Sequence, residues 1–300
     1  MSLMPVWAIY KESFDIFVSE GAENTRFVPN YTKILTGGTL YYVVMALSEP
    51  GRMVKSARNA FEIIEYLHDH GGADLGELTE EFDLAKSTIH GYLSTLESLE
   101  YLVNDGAGYH LSLKFLYHGT AARNSVPISG QADEILSALA DETSLVAWLV
   151  VEEHGRAVYL DRAVGDEVVQ TYGRISKRTD LHGTAAGKAI LAHLSDEMID
   201  TIVDNYGLPA RTEYTITDVD ELHEELSTVR QRGYATSKHE VALGVQSVAA
   251  PVHHEGRVLG AISVSGTSNQ IDDRYFEEDL PDVMTTAAAD LADRYVEHHA

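Results

Sequence analysis

The chain has 300 residues, more than one ordinary domain, and its length favours two folded units joined by a connector. Its 47 acidic against 22 basic residues give a net charge of −25, which excludes a surface built wholesale for nucleic acid or anionic lipid. The absence of cysteine excludes disulfides, thiol catalysis and a cysteine zinc site.

In chain order, residues 1–52 differ from the rest. They carry five acidic and four basic residues and eight of the chain's aromatics, among them Trp7, Phe14, Tyr31 and Tyr42, and no helical or alternating period persists through them. This stretch is expected to be a disordered extension, or translated upstream sequence ahead of a true start at Met53. Its apolar run Leu40 to Leu47 is too short to span a bilayer, and its beginning lacks the basic region and cleavage site of a secretory signal. Acidic residues spread along the remainder, with scarce lysine, point to a cytoplasmic protein of a halophile.

From Ser56 to Leu67, Ala57, Ala60, Phe61, Ile64 and Leu67 recur at three- and four-residue steps and predict an amphipathic helix ended by Gly71-Gly72. Asp74 with Glu77 has the form of a capping box opening a short helix through Phe82. A turn at Asp83 to Leu84 leads to a helix over 85–98 with Ile89, Leu93 and Leu96 as its buried stripe. The runs 101–103 and 109–111 then flank Asn104-Asp105-Gly106, a tight-hairpin signal. Helix, helix, turn, helix, hairpin is the order of a winged helix-turn-helix, placed at 53–111.

Residues 112–130 read as a linker helix and connector, broken near Asn124 to Gly130. Strand-like runs follow at 145–151, 157–161 and 167–172, helical patterns at 184–194, 195–206 and 218–231, a hairpin over 245–265, and a closing helix at 280–298. Hairpins interleaved with helices predict an α+β sensor domain over 131–300, an antiparallel sheet with helices packed on it.

A recognition helix packs one face on its domain and offers polar side chains to the major groove. The stripe Ile89, Leu93, Leu96 leaves Lys86, Ser87, Thr88, His90, Gly91 and Ser94 for that role. Lys86, Ser87 and Thr88 occupy the first turn, where free N–H groups favour phosphate. His90 and Ser94 sit one turn apart, within reach of base edges. Lys55 and Arg58 on the first helix are the expected backbone clamps, and Tyr109 and His110 on the wing are placed at the minor groove. Residues 53–123 nevertheless carry eleven acidic against five basic residues. At molar salt counterion release contributes little, so base and shape contacts must carry more of the binding. A winged helix used for protein association stays open on these residues alone.

From Val54 onward the chain resembles the isocitrate lyase regulator (IclR) family of transcription factors. Five stretches carry the resemblance: Val54-Lys-Ser-Ala-Arg58, Leu84-Ala-Lys-Ser-Thr-Ile-His90, Leu181-His-Gly-Thr-Ala-Ala-Gly-Lys188, Leu222 to Gly233, and Glu240 to Pro251 followed by Gly260 to Ser265. It implies a GAF-like C-terminal domain that binds a small-molecule effector, DNA-operator binding, and a homodimer formed through the DNA-binding domains that pairs again into a homotetramer. One departure stands out. Gly91 occupies a position where family members commonly carry Arg.

Carried over from the family's small-acid pocket, Thr184, Ala185 and Ala186 at a helix start face Ser237, Val245, Ser247 and Ser263 on strands. This implies a small organic or aromatic acid as effector, with the Ala185-Ala186-Gly187 turn letting a carboxylate approach backbone N–H groups. The plain alternative is that Thr184 caps its helix and the serines are ordinary strand residues. Neither a catalytic triad, a cofactor motif nor a metal set is legible. His68 with His70, and His253 with His254, read as solvated histidines, and Lys188 with Glu240 as structural. A small-molecule sensor acting through protein partners without DNA is the alternative reading.

Overall fold

The computed structural model of the protein describes residues 31–36, 39–44, 53–165 and 173–299. Strands β1 (Tyr31–Thr36) and β2 (Thr39–Val44) pair antiparallel. The rest of the segment 1–52, on which the expectation of a late start falls, lies outside the described residues, and so does the strand expected at 167–172.

One compact unit ends at Ser125. It comprises α1 (Lys55–His70), α2 (Leu75–Glu81), α3 (Lys86–Ser98), the wing strands β3 (Leu102–Asn104) and β4 (Tyr109–Leu111), and α4 (Lys114–Asn124). Local chemistry sets its boundaries. Gly71 closes α1 with a left-handed φ of 73°. Asp74 Oδ1 accepts from the Gly76 and Glu77 N–H groups at 2.6 and 2.9 Å, while Glu77 returns a carboxylate oxygen to the Asp74 N–H at 2.8 Å. This reciprocal box is worth about 1 kcal/mol. Ile63, Leu67, Leu78, Ile89, Leu93, Leu96 and Leu102 form the core.

The stripe expected on α1 needs correction. Ile63 and Leu67 are its buried residues, whereas Ala57 is exposed and Phe61 is 63% exposed. Residues 57 and 61 share a helical period as well as 60, 63 and 67 do, so spacing alone could not say which stripe faces the core. The expected connector is also divided: α4 belongs to the first unit, where Tyr101 Oη lies 3.0 Å from His118 Nε2 and Lys114 Nζ donates to the Leu99 carbonyl at 2.8 Å.

The second unit, from Val126, is built on a six-stranded antiparallel sheet of order β7-β6-β5-β10-β9-β8. Its strands are β5 (Val146–Glu153), β6 (Arg156–Val164), β7 (Arg178–Thr179), β8 (Ala235–Lys238), β9 (Val245–His254) and β10 (Arg257–Thr267). Strand alternation sends Ala147, Leu149, Val248, Ile262 and Val264 to one face, covered by α5 (Asp133–Thr143) and α9 (Leu280–His299). It sends Val146, Trp148, Ala249 and Ala261 to the other, covered by α6 (Ala185–Leu191), α7 (Asp196–Tyr206) and α8 (Val219–Arg232). A sheet buried on both faces explains why β5 reads as an almost unbroken apolar run. Side-chain oxygens of Thr184, Ser195 and Asp218 cap α6, α7 and α8.

Candidate functional sites

The first candidate surface is the start of α3. Its N-cap is Ala85, no side chain caps it, and its first turn holds no acidic residue. The same holds for α1, with Val54 at the cap. The contrast with the acid-capped α2 is physical. Uncapped N–H groups carry the positive end of the helix dipole and remain open to an anion. Lys86, Ser87, Thr88 and His90 are all exposed there. Ser94 is half-buried, and its Oγ lies 3.4 Å from His90 Nδ1, so these two side chains contact each other in the free protein. Lys55 is exposed at the start of α1, and Arg58 is drawn to Glu62 at 3.4 Å. Gly91 is open: a Cβ added there meets nothing within 4 Å.

The wing is tied down more firmly than expected. His110 Nδ1 lies 3.0 Å from the Gly71 carbonyl and Nε2 lies 3.2 Å from Asp105, while the Tyr109 backbone bridges to Ala73. Both expected groove residues thus brace the wing against the end of α1.

The second candidate surface is the sheet face under α6. Register places Ser237, Ser247 and Ser265 side by side on β8, β9 and β10, and Ser263 between Ala249 and Trp148. Ala185 and Ala186 are buried in the same cluster as Ala249 and Ala261. Thr184, Ser237, Val245 and Ser263 are buried as well. Two of these residues have structural duties: Thr184 Oγ1 accepts from the Gly187 N–H at 3.0 Å, and Ser237 Oγ donates to the Gly183 carbonyl at 3.1 Å. Gly187 serves packing: a Cβ there would fall 2.1 Å from the Leu181 carbonyl oxygen, so the close approach this glycine permits is that of its own loop.

Behind α6 runs a buried charge network. Lys188 Nζ lies 2.8 Å from Glu240 Oε1 and 3.5 Å from Glu225, which Arg232 also holds at 3.2 Å; Glu240 Oε2 is buried with no hydrogen-bond partner among the described residues. Burial pushes the Glu240 carboxyl up, and the Lys188 charge opposes it. On the loop before α6, burial pushes Asp180 up, but the Arg211 hydrogen bond and the Arg156 and Arg211 charges outweigh it and hold the carboxyl below its usual value. His182 is pushed down by burial; its Nε2 lies 3.3 Å from the Pro209 carbonyl. A cavity of about one water's size borders Asp180, His182 and Tyr206. Among the described residues no group of three or more His, Asp or Glu is arranged to hold a metal ion.

Comparison with known proteins decides what the two units are. Residues 56–106 match the IclR helix-turn-helix domain, and residues 120–292 match the C-terminal domain of the bacterial transcriptional regulator IclR. The chain belongs to the IclR family of transcriptional regulators. The probable HTH-type transcriptional regulator ArcR of Halobacterium salinarum is 35% identical over 79% of this chain and 92% of its own length. The crystal structure of Thermotoga maritima IclR aligns with a TM-score of 0.68 at 25% identity, covering 80% of this chain and 98% of that one. The inducer-binding domain of the Acinetobacter transcription factor PobR, solved as a double mutant with 3-hydroxybenzoic acid, aligns with a TM-score of 0.51 at 30% identity over 54% of this chain and 96% of its own.

Within this IclR-family regulator, two residues of the α6 face escaped sequence reasoning. Trp148 Nε1 donates to Ser265 Oγ at 3.0 Å, its ring meets Tyr159 edge-on at 5.0 Å, and Arg162 stands 5.9 Å from it. Trp148 looked like one more apolar residue of β5, and Ser265 like the end of a hairpin. Only the register between β5 and β10 brings them together.

Proposed function

We propose that α3 reads the major groove through Lys86, Ser87, Thr88, His90 and Ser94, that Lys55 and Arg58 hold the DNA backbone, and that a small organic or aromatic acid binds between α6 and strands β8 to β10 to control this. The observation that carries the first part is the exposed start of α3, uncapped and free of acid in a protein of net charge −25. The starts of α3 and α1, the two helix ends assigned to the DNA, both lack an acidic residue in the first turn. The small-acid class is supported by the PobR inducer-binding domain, which holds 3-hydroxybenzoic acid.

Effector binding then shifts the arrangement of two C-terminal domains in a homodimer and the spacing of its recognition helices over half-sites about 34–36 Å, or a multiple, apart. The apolar groups left exposed on α1 and its cap (Phe61, Val54) and on α4 and its cap (Leu116, Tyr117, Leu113) supply the dimer surface, and a second pairing gives the tetramer. The acidic surface fits a cytoplasm of high salt. Among the described residues no helix is long and apolar enough to cross a membrane.

Genome-wide footprinting of the tagged protein in its host at native salt tests this, with Lys86→Ala and His90→Ala alongside. Both variants should lose site enrichment. Enrichment unchanged in both removes the readout surface.

A further inference from the structure

We propose that Tyr101, Lys114 and His118 are positioning residues for DNA reading: they lock α4 to the end of α3 and thereby fix the half-site spacing that the protein accepts. This rests on the assignment of α3 to the groove and of α4 to the dimer contact. Among the described residues α4 has none that is buried, and none that belongs to the core of the winged helix. Apolar packing therefore does not set its angle. A corner of rings and charge does.

Tyr101 is the centre of that corner. Glu100, at a left-handed φ of 64°, turns the chain from α3 into the wing, and the Tyr101 carbonyl accepts from the Ser112 N–H at 3.0 Å, where the wing returns. From α4, His118 Nε2 lies 3.0 Å from Tyr101 Oη, with the two rings 15° from parallel and 5.7 Å apart, and the Phe115 ring lies 5.2 Å away. Lys114 Nζ stands 4.8 Å from the centre of the Tyr101 ring and donates to the Leu99 carbonyl at 2.8 Å. Leu99 caps the C-terminus of α3, the negative end of its dipole, so the ammonium is held by the recognition helix itself. Residues 114 and 118 stand one turn apart on one face of α4. Two fixed points a turn apart set a direction, where one would leave a pivot.

The length of α3 turns that direction into a distance on DNA. The helix runs 13 residues from Lys86 to Ser98, and its groove-reading start is the end far from the corner. At 1.5 Å per residue that is about 20 Å. A turn of about 10° at the corner carries the start of α3 about 3.5 Å, one base-pair step. In a dimer joined through α4, a stiff corner accepts one spacing of half-sites, and a loosened corner accepts its neighbours as well.

The test is selection by the full chain, in KCl, from a random duplex library of about 40 base pairs, long enough for two half-sites one or two turns apart, with sequencing of the bound pool. The native chain should enrich paired half-sites at one dominant spacing. Lys114→Met with His118→Ala should enrich the same half-site and lose the single spacing, spreading to neighbouring values on each side. Tyr101→Phe removes only the hydroxyl and keeps the rings; it should broaden the spacing less. Lys114→Arg keeps a donor for Leu99 and a cation over the ring, and should hold the native spacing. Residues that served the fold alone would lose affinity and half-site together. The inference is overturned if the folded double variant keeps the native spacing or loses the half-site sequence, or, where that variant does not fold, if Tyr101→Phe keeps the native spacing. Either result leaves the underlying assignments standing. A native pool with no common half-site removes α3 as the reading helix, and one with half-sites at no preferred spacing removes the dimer contact; each takes the inference with it.

Discussion

Lys188→Met should destabilise the C-terminal unit strongly and in a pH-dependent way. Lys188 is 2% exposed and is the only cation bonded to Glu240 among the described residues, at 2.8 Å; Glu225 keeps Arg232 when the lysine is lost. The variant thus leaves one buried carboxylate uncompensated, with Oε2 already unpartnered. Breaking a buried pair from one side costs about 3–5 kcal/mol. The carboxyl can limit this loss by taking a proton, and every tenfold rise in its proton affinity is equivalent to about 1.4 kcal/mol. A carboxyl whose folded pKa is raised contributes stability that is present below its unfolded value of 4.5 and lost as pH rises. The deficit should therefore be largest near pH 8 and shrink toward pH 5. Urea unfolding in molar KCl, followed by Trp148 fluorescence in a Trp7→Phe background, reads this unit, since the chain has two tryptophans. Lys188→Met combined with Glu240→Leu should recover most of the loss, because an apolar pair of similar volume needs no compensation. A deficit below about 1 kcal/mol, or one unchanged between pH 5 and 8, would refute the reasoning.

Gly91→Arg should tighten DNA binding at low salt and steepen the salt dependence by about one unit of log–log slope, since one more cation meets a phosphate and the open surface accepts the side chain. A titration of binding against KCl decides it, and an unchanged slope would count against α3 as the contact helix. Gly187→Ala should destabilise by about 1–3 kcal/mol despite alanine's better helix propensity, because the methyl group meets the Leu181 carbonyl; thermal unfolding gives the sign. Acid should weaken the α6 loop in two stages. His182, held neutral by burial, loses stabilisation as pH falls through 6.5, and Asp180, held ionised by Arg211 and Arg156, loses its own as pH falls below 3.8. The protection of residues 180–188 from hydrogen exchange, corrected for the intrinsic pH dependence of exchange, should fall between pH 7.5 and 5.5 in the native protein and fall less in His182→Gln. Leu116→Glu with Tyr117→Glu should abolish the proposed dimer in sedimentation velocity, and a sedimentation coefficient unchanged from that of the native chain would count against α4 as its contact.

Much of the winged helix was legible because its signals are local. A capping box at Asp74 and Glu77, the glycine that ends α1 and the Asn104-Asp105-Gly106 turn act within a few residues, and the stripe Ile89, Leu93, Leu96 has one dominant face. The hairpins β5–β6 and β9–β10 were legible for the same reason. β8 was not: Ala-Thr-Ser-Lys has no apolar alternation, and it is a strand only because β9 offers an edge to pair with.

By itself the sequence determined where helices start, where hairpins turn, that two units exist, and through five separated stretches which family they resemble. Tertiary structure decided which of two equally periodic stripes on α1 faces the core, that His110 and Tyr109 brace the wing, and that Gly187 admits a carbonyl of its own loop. It also decided that Trp148 and Ser265, 117 positions apart, share one face with Ser263. Spacing encodes period, and period is blind to what lies opposite. Which side chain is buried, and whether its polar atoms find partners, is settled only when a distant strand or helix arrives to cover it.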